Sequence, residues 1–106
     1  MKQGEKGVVI YFILQDEDGN TYDLSSATSA KLYIEKGNTI AVRDAEIYSP
    51  TEGKIRYTIQ EGDLDIGDAN YKFQVAVDFQ DGTHLVSDAI IEHVESTLEA
   101  QQNGGN

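Results

Sequence analysis

The sequence predicts an all-β chain folded as an antiparallel β-sandwich of about seven strands. Three observations carry that expectation. Apolar residues recur at every second position in several short runs, turn signals separate those runs, and no stretch carries the apolar stripe of an amphipathic helix. The 106 residues suit one domain with one modest core, able to bury about two-thirds of the surface of the unfolded chain.

The first element is VVIYFIL, residues 8–14, β-branched and aromatic without interruption. Such a run fits a strand covered on both faces, or an edge strand that faces a partner. The following QDEDGNTYDLSSAT, residues 15–28, invites comparison with a calcium loop, because Asp16, Asp18 and Asn20 alternate. The spacing rejects it: with Asp16 as first ligand, the turn-making Gly position holds Thr21 and the closing Glu position holds Ala27. Placing Gly19 in the Gly position makes Leu14 the first ligand and Ser25 the last, which also fails. The segment therefore reads as the polar end of a hairpin, turned at Asp18-Gly19.

SAKLYIE then sets Ala30, Leu32 and Ile34 on one face against Lys31, Tyr33 and Glu35. A weaker strand covers TIAVRDAEIY, residues 39–48. KIRYTIQ opposes Ile55, Tyr57 and Ile59 to Lys54, Arg56, Thr58 and Gln60. The clearest alternation is YKFQVAVDFQ, where Tyr71, Phe73, Val75, Val77 and Phe79 share a face, which makes this a central strand. DAIIEHVE, residues 88–95, closes the set. Turns fall at Lys36-Gly37-Asn38, Ser49 to Gly53, Asp65-Ile66-Gly67 and Asp81-Gly82.

Charge and chemistry narrow the function classes. Nineteen acidic against eight basic side chains leave a net charge of −11, which argues against binding nucleic acid or anionic lipid. No signal-peptide core opens the chain and no run approaches the roughly 18 apolar residues of a membrane span, so a soluble chain made in the cytoplasm is expected. Cysteine is absent, which removes disulfides, thiolate metal sites and a cysteine nucleophile. His84 and His93 have no third ligand at metal spacing. Ser25, Ser26 and Ser29 lack a nearby histidine and read as turn and strand-start hydrogen bonders. Asp63 and Asp65 are a conceivable glycosidase-like pair, but an exposed loop between strands accounts for them better. No cofactor, metal or catalytic set is expected, and the chain reads as non-enzymatic.

One feature narrows the kind of sandwich. DLDIGDANYKF, residues 63–73, looks like the start of strand F in an immunoglobulin-like domain, where a tyrosine hydroxyl bonds back to upstream backbone. Tyr71 takes that place, or is an ordinary alternating core residue. Phe73 stands where antibody domains carry their second cysteine, and fills the space by packing. In order, the chain then reads YFILQDEDG, YDLSSATSAKLYI, GKIRYTI and GDANYKFQVAVDFQDGT before a closing strand. From Val8 to Val94 this resembles the N-terminal immunoglobulin-like domain of the phage baseplate upper protein family. The resemblance rests on the D-x-D-G turn, the Asp23-Leu24-Ser25 step, Ala27-Thr28 before an alternating strand, and the aromatic strand ending in Asp81-Gly82. In that family the domain usually heads a longer polypeptide, whereas this chain stops at STLEAQQNGGN.

The resemblance implies a structural component of a phage tail baseplate or tail tip, in a phage of Gram-positive bacteria. Its location would be the virion, after synthesis in the host cytoplasm. Its partners would be baseplate or tail proteins, with self-association included. Val8, Ile10, Phe12, Tyr33 and Tyr48 are the candidate interface residues, with the alternative that they complete the core. A carbohydrate- or cell-surface-binding module, stacking sugars on Tyr22 and Tyr48, is the second reading. Residues 1–96 are expected to form the sandwich. Residues 97–106 are expected to form a flexible polar tail or linker stump, with at most one helical turn between Thr97 and Gln102.

Overall fold

The computed structural model describes residues 1–104. Eight strands run in the order β1 (Val9–Ile13), β2 (Ala27–Lys36), β3 (Thr39–Asp44), β4 (Glu46–Ser49), β5 (Lys54–Thr58), β6 (Ala69–Phe79), β7 (His84–Val86) and β8 (Ile90–Val94), followed by the short helix α1 (Leu98–Gly104). They form two antiparallel sheets, one ordered β1-β5-β4 and the other β3-β2-β6, with β7 and β8 both on the far side of β6. These orders correspond to strands B-E-D and C′-C-F-G of an immunoglobulin-like sandwich. Among the described residues no strand precedes β1 in its sheet. Instead Lys2 makes a parallel bridge to Glu95 at the end of β8, and Gln3 donates its backbone N–H to the Glu95 carbonyl at 2.8 Å.

The alternating runs became strands with the expected faces. Leu32 and Ile34 of β2, Ile55 of β5, and Tyr71, Val75 and Val77 of β6 are fully buried. Their neighbours Tyr33, Arg56 and Lys72 point outward. β6 is central, with β2 along one side and β8 then β7 along the other. Ser87 bridges the break between β7 and β8: its Oγ accepts from Val75 N–H at 3.0 Å and its N–H donates to the Val75 carbonyl at 2.8 Å. The β2–β3 hairpin turns through Gly37, whose φ of 58° lies in the left-handed region glycine favours.

Several expectations need correction. The segment 39–48 is not one strand. At Ala45 the backbone donates to the Ala30 carbonyl and leaves the larger sheet, so β3 and β4 belong to different sheets. β7, only three residues long, has too little sequence for its alternation to be read. The single helical turn expected within Thr97 to Gln102 is instead a seven-residue helix, Leu98–Gly104. Thr97 starts it, its Oγ1 accepting from Ala100 N–H at 3.0 Å. Residues 105–106 of the expected tail lie outside the described residues.

The corner between β5 and β6 is held by two buried side chains. Tyr71 is 0 % exposed, and its hydroxyl accepts from Ile66 N–H at 2.8 Å and donates to the Ile66 carbonyl at 3.1 Å. This is the tyrosine corner expected at the start of strand F. Phe73 is also buried and stacks on Tyr71, with ring centroids 6.3 Å apart. Asp63, expected in an exposed loop, is instead 1 % exposed. It is buried because three donors converge on it: Tyr57 hydroxyl at 2.5 Å, Gln60 N–H at 2.8 Å and Arg43 Nε at 3.1 Å. Asp65 stays at the surface, paired with Lys36 at 2.8 Å.

Candidate interaction surfaces

The expected turn at Asp18-Gly19 is present, but it does not join a pair of hairpin strands, because β1 before it and β2 after it lie in different sheets. Gln15 and Thr21 bridge across it, and the Asp16 carboxylate folds back to accept from Asp18 N–H and Asn20 N–H, both at 2.9 Å. One Asp16 carboxylate oxygen is therefore used to close the turn. Ser25 donates its N–H at 2.9 Å and its hydroxyl at 2.5 Å to Asp23, and those two bonds hold the Asp23 carboxyl below its ordinary pKa. Ser29 reaches Asp78 at 3.4 Å. Ser25 and Ser29 thus act as the turn and strand-start hydrogen bonders expected of them, whereas Ser26 takes part through its backbone carbonyl, which accepts from Gln80 N–H at 3.1 Å.

His84 meets Asp78 at 2.6 Å and His93 meets Asn70 at 3.1 Å. Among the described residues no three His, Asp or Glu side chains converge as metal ligands. The carboxylates Asp63 and Asp65 are not a facing pair over a cleft. One is spent on buried donors and the other on Lys36. Burial, then the bond to Asp63 and its charge, push the Tyr57 hydroxyl far above its ordinary pKa. The result is a neutral donor held against a buried acceptor, a structural arrangement.

The five candidate interface residues do not form one surface. Val8 is 36 % exposed, Ile10 packs partly against the core, and Phe12 is a core residue. For Ile10 and Phe12 the alternative stated above, that they complete the core, is what the structure shows. Tyr33 lies on the outer face of the larger sheet, paired across strands with Val42 and Gln74. Tyr48 lies on β4 in the smaller sheet, against Tyr11 with ring centroids 5.8 Å apart and nearly perpendicular. Arg56 sits 5.0 Å above the Tyr48 ring and bonds Glu46 through Nε at 2.9 Å. Tyr22, the second proposed sugar-stacking residue, is half-buried against the core, so Tyr22 and Tyr48 do not present matching open rings.

Sequence reasoning selected the wrong parity of the first strand. The exposed residues of β1 are Tyr11 and Ile13, at 55 % and 51 %. In an uninterrupted apolar run neither parity is marked, because both faces look alike. The mark lies in β5, whose alternation sets Ile55 and Tyr57 inward and whose register pairs them with Phe12 and Ile10.

Beside β1 the two sheets part into a cleft of about 330 Å³, bordered by Phe12, Leu14 and Asp16 from one sheet side and Leu85, Asp88 and Ile90 from the other. A smaller cleft of about 150 Å³ continues it, with Ile10, Phe73 and Glu92 among its walls. On the larger sheet, Ile40 and Val42 of β3 are 62 % and 49 % exposed. Apolar surface is thus presented on two outer faces and along one edge. No protein-family model, curated protein or solved structure matches this chain.

Proposed function

We propose that this protein is a non-enzymatic structural component of a phage tail baseplate or tail tip, an immunoglobulin-like module that docks neighbouring virion proteins. The sequence resemblance to the baseplate upper protein family supports the setting. The observation that carries docking is the cluster on the outer face of β1-β5-β4. There Tyr11, with Tyr48 beneath Arg56, and the exposed Ile13 gather rigid aromatic, guanidinium and apolar groups. These residue types anchor protein interfaces, since they bring large contact area at little entropic cost.

The test is solution mass by light scattering over a concentration series, for the chain alone and with purified baseplate and tail-tip proteins of a Gram-positive host's phage. A stable complex of defined mass is expected. Tyr11→Ala together with Tyr48→Ala should weaken it by at least about tenfold, the typical loss at an aromatic anchor. Absence of a complex with every baseplate and tail-tip protein refutes the reading.

A further inference from the structure

We propose that the free edge of β1, with the cleft beside it, receives an extended segment of another polypeptide as an added strand, apolar at alternate positions and carrying Lys or Arg at its ends. This deepens the docking reading by naming the edge and the chemistry of its occupant.

The backbone specifies a strand. On the β5 side, Val8 C=O accepts from Ile59 N–H at 2.8 Å and Leu14 N–H donates to the Gly53 carbonyl at 2.9 Å. The two-residue period places Ile10 and Phe12 on that same side. Val9, Tyr11 and Ile13 therefore aim their N–H and C=O groups away from β5, where no strand among the described residues borders them. The acidic loop does not cover this row, because it returns on the β5 side, with Tyr22 N–H on the Leu14 carbonyl at 3.0 Å.

Two of the other edges are guarded. On β3, Arg43 Nη1 donates to the Val42 carbonyl at 3.0 Å, and Asp44 adds a charge paired with Lys31. β4 is four residues long and its register shifts next to β5. β1 has no charge, proline or bulge, and Gly7 to Gln15 contains no ionisable carboxylate or cation in a chain of net charge −11. An unguarded apolar edge is a template for strand addition.

The cleft limits the occupant to a single strand. Phe73 of β6 lines the smaller cleft together with Ile10 and Phe12, while Ile90 at the start of β8 walls both clefts. The larger sheet thus projects about one strand width past β1. A second sandwich brought edge to edge would drive its own projecting strand into β6. An isolated extended segment would instead lay alternate side chains onto Leu85 and Ile90 while its backbone pairs with Val9, Tyr11 and Ile13. Asp16, Asp88 and Glu92 line the clefts and no basic residue does. Lys or Arg at the ends of the segment would complement them.

The probe is a capped decapeptide of alternating Val and Thr with Lys at each end, titrated into the full chain while amide hydrogen exchange is followed residue by residue by NMR. At saturation, exchange at Val9, Tyr11 and Ile13 should slow by at least about tenfold, as unpaired amides become ladder donors. Tyr11→Pro should abolish that protection. Tyr11 N–H is not used by β5 and proline is tolerated on an open edge, so Ile10 and Phe12 should remain protected. If that variant does not fold, the same peptide with Glu at each end provides the control and should bind at least about tenfold more weakly at low salt. No slowing at about 1 mM peptide, or protection appearing on β3 instead, overturns the proposal. A stable tail-protein complex without any peptide protection of Val9, Tyr11 and Ile13 would also overturn it while leaving the baseplate reading intact. Peptide protection without any tail-protein complex would uphold the groove and refute the baseplate reading.

Discussion

Replacing Tyr71 by phenylalanine removes one oxygen from the most buried corner of the sandwich and changes little else. The ring stays the same size, so the stack on Phe73 and the packing of β6 are retained. What goes is the acceptor for Ile66 N–H at 2.8 Å and the donor to the Ile66 carbonyl at 3.1 Å. A neutral hydrogen bond contributes about 1 kcal/mol net, and a buried group left without a partner costs about 1–3 kcal/mol. Ile66 is itself 38 % exposed, so water relieves part of the loss and the expected destabilisation is about 2 kcal/mol. For a domain of this size that lowers Tm by roughly 10 °C. Urea unfolding measures it: the midpoint should fall at unchanged slope. Tyr33→Phe, where the hydroxyl is on an exposed face, should stay within about 0.5 kcal/mol of wild type. A loss under about 0.5 kcal/mol for Tyr71→Phe as well would mean that the hydroxyl does not hold the corner.

Asp63→Asn should cost about 2–4 kcal/mol by urea unfolding, because Tyr57 hydroxyl, Gln60 N–H and Arg43 Nε donate to both oxygens of this carboxylate and an amide replaces one of those acceptors with a donor and removes the charge. A near-neutral result would show that the three donors find other partners. Gly53→Ala should cost about 1–3 kcal/mol, since Gly53 has φ 67° and an added Cβ would lie 2.8 Å from the Leu14 carbonyl oxygen and 2.9 Å from that of Tyr22. Circular dichroism melts would register it, and an unchanged Tm would refute the close approach. Alkaline stability follows from Tyr57 and Tyr71, both raised above the ordinary 10.0, chiefly by burial. Their neutral forms are favoured in the folded state, so their contribution is complete below pH 10.0 and is lost as pH rises beyond it. Urea midpoints measured upward through that range should decline, with tyrosinate absorbance rising in step with unfolding; a flat profile would contradict the burial of both hydroxyls.

Much of the frame was legible in the residues alone. Alternation in β2, β5 and β6 assigned Leu32, Ile34, Ile55, Tyr71 and Val75 to the core, because a strand with one buried face must write that face at every second position. The turn at Asp18-Gly19 and the corner at Tyr71 were readable for the same reason: each depends on bonds spanning only a few residues. What failed was longer in range. Nothing in DLDI tells that Asp63 is buried, since its donors Tyr57 and Arg43 come from two different strands. Nothing in TIAVRDAEIY marks Ala45 as the crossing point, since its carbonyl partner is Ala30.

The proposed docking surface divides along the same line. Its composition, an uncharged apolar strand in an acidic chain, is a property of the sequence. Which of its side chains face out is a property of pairing: β5 supplies the register that turns Phe12 inward and leaves Tyr11 and Ile13 exposed. That the strand has an open edge at all depends on the whole topology, in which Lys2 bridges Glu95 and no strand of the described residues borders β1 on the side away from β5. Local spacing determines what a segment is able to bury. Only the assembled sheets decide which backbone groups and which faces are left for another chain.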